Sequence, residues 1–178
     1  MNNKDFNGVD MRLRLEKYSY RFAEQVINSK LDLKQEVEDI LQKEDIDFST
    51  LSRPKLNQIL ELRFKEKQWQ CQPNVFEGED DPSARFDFYK DRIGIEVQFG
   101  HSSFIGIDLL KFQVSSYSSL DKIDLAIYIV TTKNFQKIMK SNYNQNWEGS
   151  LNYEKVKKYL PYFKSAVQVP IYVIGLDI

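Results

Sequence analysis

The chain has 178 residues, room for one domain of ordinary size, and its 42% hydrophobic and 29% charged residues are the balance of a globular protein. One histidine, His101, and one cysteine, Cys71, exclude an internal disulfide framework, a cysteine-rich zinc site and a multi-histidine metal centre. The net charge of −1 gives no global basic signal, so chemistry must come from carboxylates, amides, lysines or hydroxyls.

Met11 to Ser29 reads as a helix, with Leu13, Tyr20, Val26 and Ile27 at roughly helical spacing. A second helix fits Leu33 to Gln42 through Val37, Ile40 and Leu41, inside an acidic segment that runs from Asn28 to Thr50. A third begins after Ser52, with Pro54 in its first turn and Leu56, Ile59, Leu60 and Phe64 facing inward. Trp69 opens an extended segment that stops near Pro73, and Glu77-Gly78-Glu79-Asp80-Asp81-Pro82 reads as a solvated turn. Two alternating segments follow, Ala84 to Tyr89 and Arg92 to Phe99. Gly106 to Ser116 has helical spacing through Ile107, Leu110, Lys111 and Val114. Ile123 to Thr131 is nearly continuous in apolar residues, as in a strand buried on both faces. Tyr153 to Phe163 makes an amphipathic helix and Val169 to Gly175 a last strand. The order predicts an α/β fold, a central mixed β-sheet flanked by α-helices, in one domain spanning residues 1–178. No apolar run approaches the roughly 18 residues of a membrane span and no signal-peptide pattern opens the chain, which predicts a cytoplasmic protein.

The segment Arg85-Phe86-Asp87-Phe88-Tyr89-Lys90-Asp91-Arg92-Ile93-Gly94-Ile95-Glu96-Val97-Gln98-Phe99 reads as a hairpin. With Lys90-Asp91 as its two-residue turn, Phe88 faces Ile93, Phe86 faces Ile95 and Asp87 faces Gly94, which pairs apolar with apolar. The other face then carries Asp87, Glu96 and Gln98, with Asp87 the diagonal neighbour of Glu96 and Gly94 leaving room above it. Two carboxylates and an amide converging from strands suit Mg²⁺, with the Val97 backbone carbonyl as a further oxygen. An ordinary polar strand face, with Arg85 paired to Glu96, fits the same spacing.

Asp87, eight residues, then Glu96-x-Gln98 resembles the PD-(D/E)XK nuclease signature, with Gln98 where most members have lysine. Glu96-Val97-Gln98-Phe99 resembles more closely the active-site strand of BglII-like type II restriction endonucleases. Shorter pieces match in the same order: Asn57-Gln58 and Trp69, Arg85-Phe86-Asp87-Phe88, Gly149-Ser150-Leu151-Asn152-Tyr153-Glu154, and Val169-Pro170-Ile171-Tyr172-Val173-Ile174-Gly175-Leu176. The signature's proline is absent before Asp87, where Phe86 stands, and Gln98 removes a positive charge from the site.

The resemblance implies a restriction-endonuclease-like catalytic core over residues 53–177, with N-terminal helices within residues 1–50 as a candidate dimer interface. It implies Mg²⁺-dependent, site-specific hydrolysis of palindromic double-stranded DNA by a homodimer. Asp87, Glu96 and the Val97 carbonyl would hold the metal, Gln98 would orient the attacking water, and Asn57 and Glu61 would be accessory. His101 and Ser102, next to the catalytic strand, and the amide-rich stretch with Asn144, Asn146 and Ser150 are candidate DNA contacts. The lysine-rich segment from Lys133 to Lys164, with Lys133 and Lys140 as phosphate contacts, gives the charge a use. A structure-selective repair or junction-resolving nuclease of the same fold, and a non-catalytic DNA-binding module, are the alternatives.

Overall fold

The computed structural model describes residues 12–75, 84–117 and 120–178. Six strands form one sheet: β1 (Arg14–Tyr20), β2 (Gln70–Cys71), β3 (Phe88–Lys90), β4 (Ile93–Val97), β5 (Leu125–Thr131) and β6 (Ile171–Asp177), in the order β1-β6-β5-β4-β3-β2. β4, β5 and β6 are parallel, and β1 and the β3/β2 pair run antiparallel at either side. All seven residues of β5 are buried, as a central strand covered on both faces requires. The predicted mixed sheet flanked by helices is therefore what the chain forms.

The helices are α1 (Ala23–Asn28), α2 (Leu31–Gln42), α3 (Arg53–Glu66), α4 (Ile105–Tyr117), α5 (Lys133–Tyr143) and α6 (Tyr153–Tyr159). Residues of α1, α2, α3 and α5 join one apolar cluster with Ile93, Ile95, Ile127 and Ile174. Residues of α4 and α6 join a second with Phe86, Tyr128, Val130 and Val173. The sheet separates these two cores. α3 starts as its sequence predicts: the Ser52 side chain accepts from the Lys55 N–H, Pro54 lies in the first turn, and Leu56, Leu60 and Phe64 are buried.

Four parts of the chain differ from the sequence reading. Arg14–Tyr20 is a strand, paired along its whole length with β6, and Arg21 and Phe22 then take left-handed backbone angles (φ 51 and 59) that separate it from α1. Met11, the first residue of the expected helix, lies outside the described residues, as does the Glu77–Pro82 turn. Lys133–Tyr143 is a helix, started by the Thr132 side chain on the Phe135 N–H and ended by Asn144 in the left-handed region. α4 has its expected position but the opposite orientation. Ile107 and Leu110 are exposed, whereas Asp108, Leu109, Phe112 and Ser115 face inward.

The hairpin turn is the fourth. It falls on Asp91-Arg92, both with positive φ (47 and 66), as a two-residue loop matched to strand twist demands. Lys90 thus faces Ile93, Tyr89 faces Gly94 and Phe88 faces Ile95. The register is displaced by two residues from the expected one, which keeps Phe88, Ile93 and Ile95 on their predicted face, whereas Phe86 leaves it and packs in the second core against Phe112. Gly94 does not leave space for an ion: a side chain there would meet the Phe86 ring at 3.0–3.2 Å, so the glycine makes room for that ring.

Candidate active site

The β3/β4 ladder stops at Phe88, where the chain bends. One step further, Asp87 comes across from Glu96, nearer than the diagonal placement expected from sequence. Asp87 donates its own N–H to the Ile95 carbonyl at 3.1 Å, and its side-chain Oδ2 accepts the next N–H of the opposite strand, that of Val97, at 2.7 Å. The carboxylate thus fills a ladder position that backbone would otherwise take, which fixes it where the strands part.

Glu96 is 5% exposed, on the face of the sheet covered by α4. Its Oε1 stands 2.6 Å from Lys111 Nζ. Lys111 also lies 3.5 Å from Asp108 Oδ1 and donates to the Arg85 carbonyl at 3.1 Å. Asp108 Oδ2 accepts from the Tyr128 hydroxyl at 2.7 Å and from Gln98 Nε2 at 3.0 Å, while Gln98 Oε1 accepts the Gly100 N–H at 2.8 Å. Gln98 therefore ties the end of β4 both to the following loop and to α4. Arg85 is not the partner of Glu96: its Nε donates to Asn74 Oδ1 at 3.0 Å.

Burial is the first cause that raises Glu96 well above the ordinary carboxylate range, and the adjacent Asp87 charge adds to it; Lys111 offsets only part. Asp87 is also raised, first by burial, against the opposing effect of the Val97 N–H. Burial alone would lower Lys111, but the nearby carboxylates, Glu96 foremost, outweigh it and hold its ammonium charged. Tyr128 is pushed well up by burial and by Asp108, so its phenol stays a neutral donor.

A cavity of about 110 Å³ opens between α3 and the parted strands, lined by Asn57, Leu60, Glu61, Gln72, Asp87, Phe88 and Val97. The two accessory residues expected on α3, Asn57 and Glu61, thus share a cavity with Asp87 and Val97. Gln72 joins them: its backbone is left-handed (φ 51) and its N–H donates to the Asp87 carbonyl at 3.0 Å. The donors offered by Asp87, Glu96 and the Val97 carbonyl are all oxygens, the set a hard divalent cation prefers. Among the described residues no group of three or more His, Cys, Asp or Glu could hold a metal, so any ion here would rely on the carboxylate pair, backbone oxygen and water.

Among the expected DNA contacts, His101, Ser102 and Ser150 come together in the loops beyond the C-terminal end of β4, the end at which open parallel sheets bind ligands. His101 makes an isolated antiparallel bridge to Ser150, and Leu151 N–H donates to the Gly100 carbonyl at 2.9 Å. His101 is exposed, and its Nδ1 lies 3.0 Å from Ser103 Oγ, which leaves Nε2 at the ring's outer edge. Ser102 Oγ accepts from Lys155 Nζ at 3.3 Å. Asn144 and Asn146 are exposed. Ser150 is 1% exposed, so its hydroxyl does not reach a ligand, a correction to its expected role. Lys133 and Lys140 are exposed, but Lys140 pairs with Glu148 at 2.5 Å, which offsets its charge.

Lys111, Asp108, Tyr128 and Gln72 were not expected at this site. Only the i, i+3 spacing of Asp108 and Lys111 on one helix face marks the first two in the sequence. Nothing marks Tyr128, which sits in an apolar run, or Gln72.

A raised carboxyl holds, in the folded state, a proton that the unfolded chain releases. The stability it contributes is complete below the ordinary carboxylate range and is lost as pH rises through the folded-state value. In divalent-free buffer, raising the pH from about 4 should therefore lower the denaturation midpoint, and Glu96→Gln should flatten that slope. An equally steep slope in Glu96→Gln would contradict the assignment.

Residues 15–176 match the family model described as restriction endonuclease BglII/BglIII. The fold is similar to that in "Crystal structure of restriction endonuclease BGLII complexed with DNA 16-mer", with TM-score 0.72 and 20% identity, covering 93% of this chain and 77% of that one. It is also similar to "Crystal structure of free BglII", with TM-score 0.62 and 18% identity, covering 91% of this chain and 78% of that one. No curated protein matches the sequence. With a family model spanning nearly all of the described sheet and both cores, the chain belongs to the BglII/BglIII family of type II restriction endonucleases.

Proposed function

We propose that Asp87, Glu96 and Gln98 are the catalytic residues and that the cleavage is Mg²⁺-dependent hydrolysis of a phosphodiester in palindromic duplex DNA. The observation that carries this reading is the pair of carboxylates held across the parted strands, Glu96 buried and Asp87 half-buried, with Asp87 and Val97 lining the cavity beside them. Adjacent carboxylates are stabilised by a cation between them, and an all-oxygen site with few protein ligands suits Mg²⁺ with its retained waters. Bound there, Mg²⁺ would polarise the scissile phosphate and lower the pKa of a water.

Asp87 contributes a carboxylate whose orientation is fixed by the Val97 N–H, and the Val97 carbonyl is the third protein oxygen. Glu96 is held from behind by Lys111. Gln98 spends one amide N–H on Asp108 and has a second to position the attacking water. Asn57 and Glu61 border the cavity and are accessory. Asp87→Asn and Glu96→Gln should each keep the fold and reduce DNA cleavage in Mg²⁺ by at least about 100-fold; cutting at the wild-type rate by either variant would remove it from the site.

The similar BglII structure is a complex with a DNA 16-mer, and duplex DNA is the substrate we propose here. His101, Ser102, Asn144 and Asn146 are the recognition candidates beside the strand ends, with Lys133 and Lys140 toward phosphates. Two-fold symmetry of a homodimer would match a palindrome, each subunit cutting one strand. Two surfaces could form the dimer. The N-terminal helices expose Phe22 and Leu31, and α4 with the turn before it exposes Phe104, Ile107, Leu110 and Tyr117 in one stripe. The longer α4 stripe is the one we assign, and sedimentation of the free chain at dimer mass checks it. No helix among the described residues is long and apolar enough to cross a membrane, in keeping with action on cytoplasmic DNA. His101→Ala and Asn144→Ala should slow cleavage at the cognate sequence by about 10-fold or more, the cost of one lost base contact; unchanged rate and site choice would exclude them.

A further inference from the structure

Where the PD-(D/E)XK signature has a strand lysine, this chain has Gln98, and its side chain is tied to Gly100 and Asp108. A positive charge nevertheless stands at the carboxylates, delivered by a different element. Asp108 and Lys111 are three apart on α4 and so share one face, the face turned to the sheet. The Lys111 side chain is 11% exposed, and its ammonium is surrounded by three oxygens from three places in the chain. These are Glu96 Oε1 on β4 at 2.6 Å, Asp108 Oδ1 on α4 at 3.5 Å, and the Arg85 carbonyl at 3.1 Å. Arg85 lies two residues before Asp87, so one ammonium grips both the backbone leading to Asp87 and the carboxylate of Glu96. Asp108, 3% exposed, is itself held by Tyr128 at 2.7 Å, which keeps the lysine from following its charge elsewhere.

We propose that Lys111 is a positioning residue of the nuclease site, setting the orientation of Glu96 relative to Asp87 and supplying the positive charge that Gln98 does not. This rests on the nuclease reading above. Lys111 acts through Glu96: it holds Oε1 from the α4 side, while the cavity lined by Asp87 and Val97 lies on the α3 side of the sheet. A cation placed this way opposes metal binding slightly, by its charge, and favours cleavage, by fixing the geometry. Those two effects have opposite signs, which separates them from a merely structural contribution.

The test uses Lys111→Met in the full chain, with thermal melting, calorimetric titration with Mn²⁺ alone, and cleavage of plasmid DNA at saturating Mn²⁺. The variant should melt cooperatively and bind Mn²⁺ at least as tightly as wild type, yet cut about 100-fold more slowly or worse. Cleavage within a few-fold of wild type would overturn the proposal. So would a joint loss of Mn²⁺ binding and cleavage, or loss of the cooperative transition, because either makes Lys111 a structural residue. A wild-type chain that cuts no DNA brings down the nuclease reading itself; wild-type cutting with an unimpaired Lys111→Met removes the role of Lys111 alone.

Discussion

Two carboxyl groups held against each other where two strands part are the constraint around which the site is built. Asp87 and Glu96 face one another where β3 and β4 part, and burial opposes ionisation of both, with the Asp87 charge adding to it at Glu96 and the Asp108 charge at Asp87. Two neighbouring carboxyls withdrawn from water persist only when their surroundings hold them. Here the Val97 N–H fixes one carboxylate and Lys111 the other. In the function proposed above, the pair is the receptor for a divalent cation.

The fold delivers these groups from four elements. The two-residue turn at Asp91-Arg92 sets the register that brings Asp87 across from Glu96. α4 enters directly after the loop that follows β4 and returns Asp108 and Lys111 to the sheet. β5, the next strand, adds Tyr128 through its register with Glu96. α3 closes the opposite side with Asn57 and Glu61. The loops that bridge at His101 and Ser150 stand beyond the same strand ends.

The pair Asp87 and Glu96 was legible in the sequence because strand faces alternate with a period of two. A two-residue error in the turn moves partners along the strand but leaves them on their face. The same tolerance did not extend to Gly94, whose partner depends on the register itself. α4 was misoriented because its outer stripe of Ile107 and Leu110 has the pattern of a core face, while its inner face carries Asp108 and Lys111. A buried ion cluster inverts the usual inside-outside rule. β1 was hidden for another reason: an edge strand with Arg14, Glu16 and Lys17 gives little apolar alternation, and its partner β6 lies at the other end of the sequence. Pairing with a distant strand overrode the local helical spacing.

The proposed function is that this carboxylate pair makes the chain a metal-dependent, site-specific nuclease. It is tested most directly by sequencing the ends that the purified wild-type chain leaves on a plasmid in Mg²⁺. The account predicts discrete fragments, all cut at the same short palindrome with symmetric positions on the two strands, and none when the divalent ion is chelated. Ends scattered without common sequence, or cutting that persists in chelator, would contradict it.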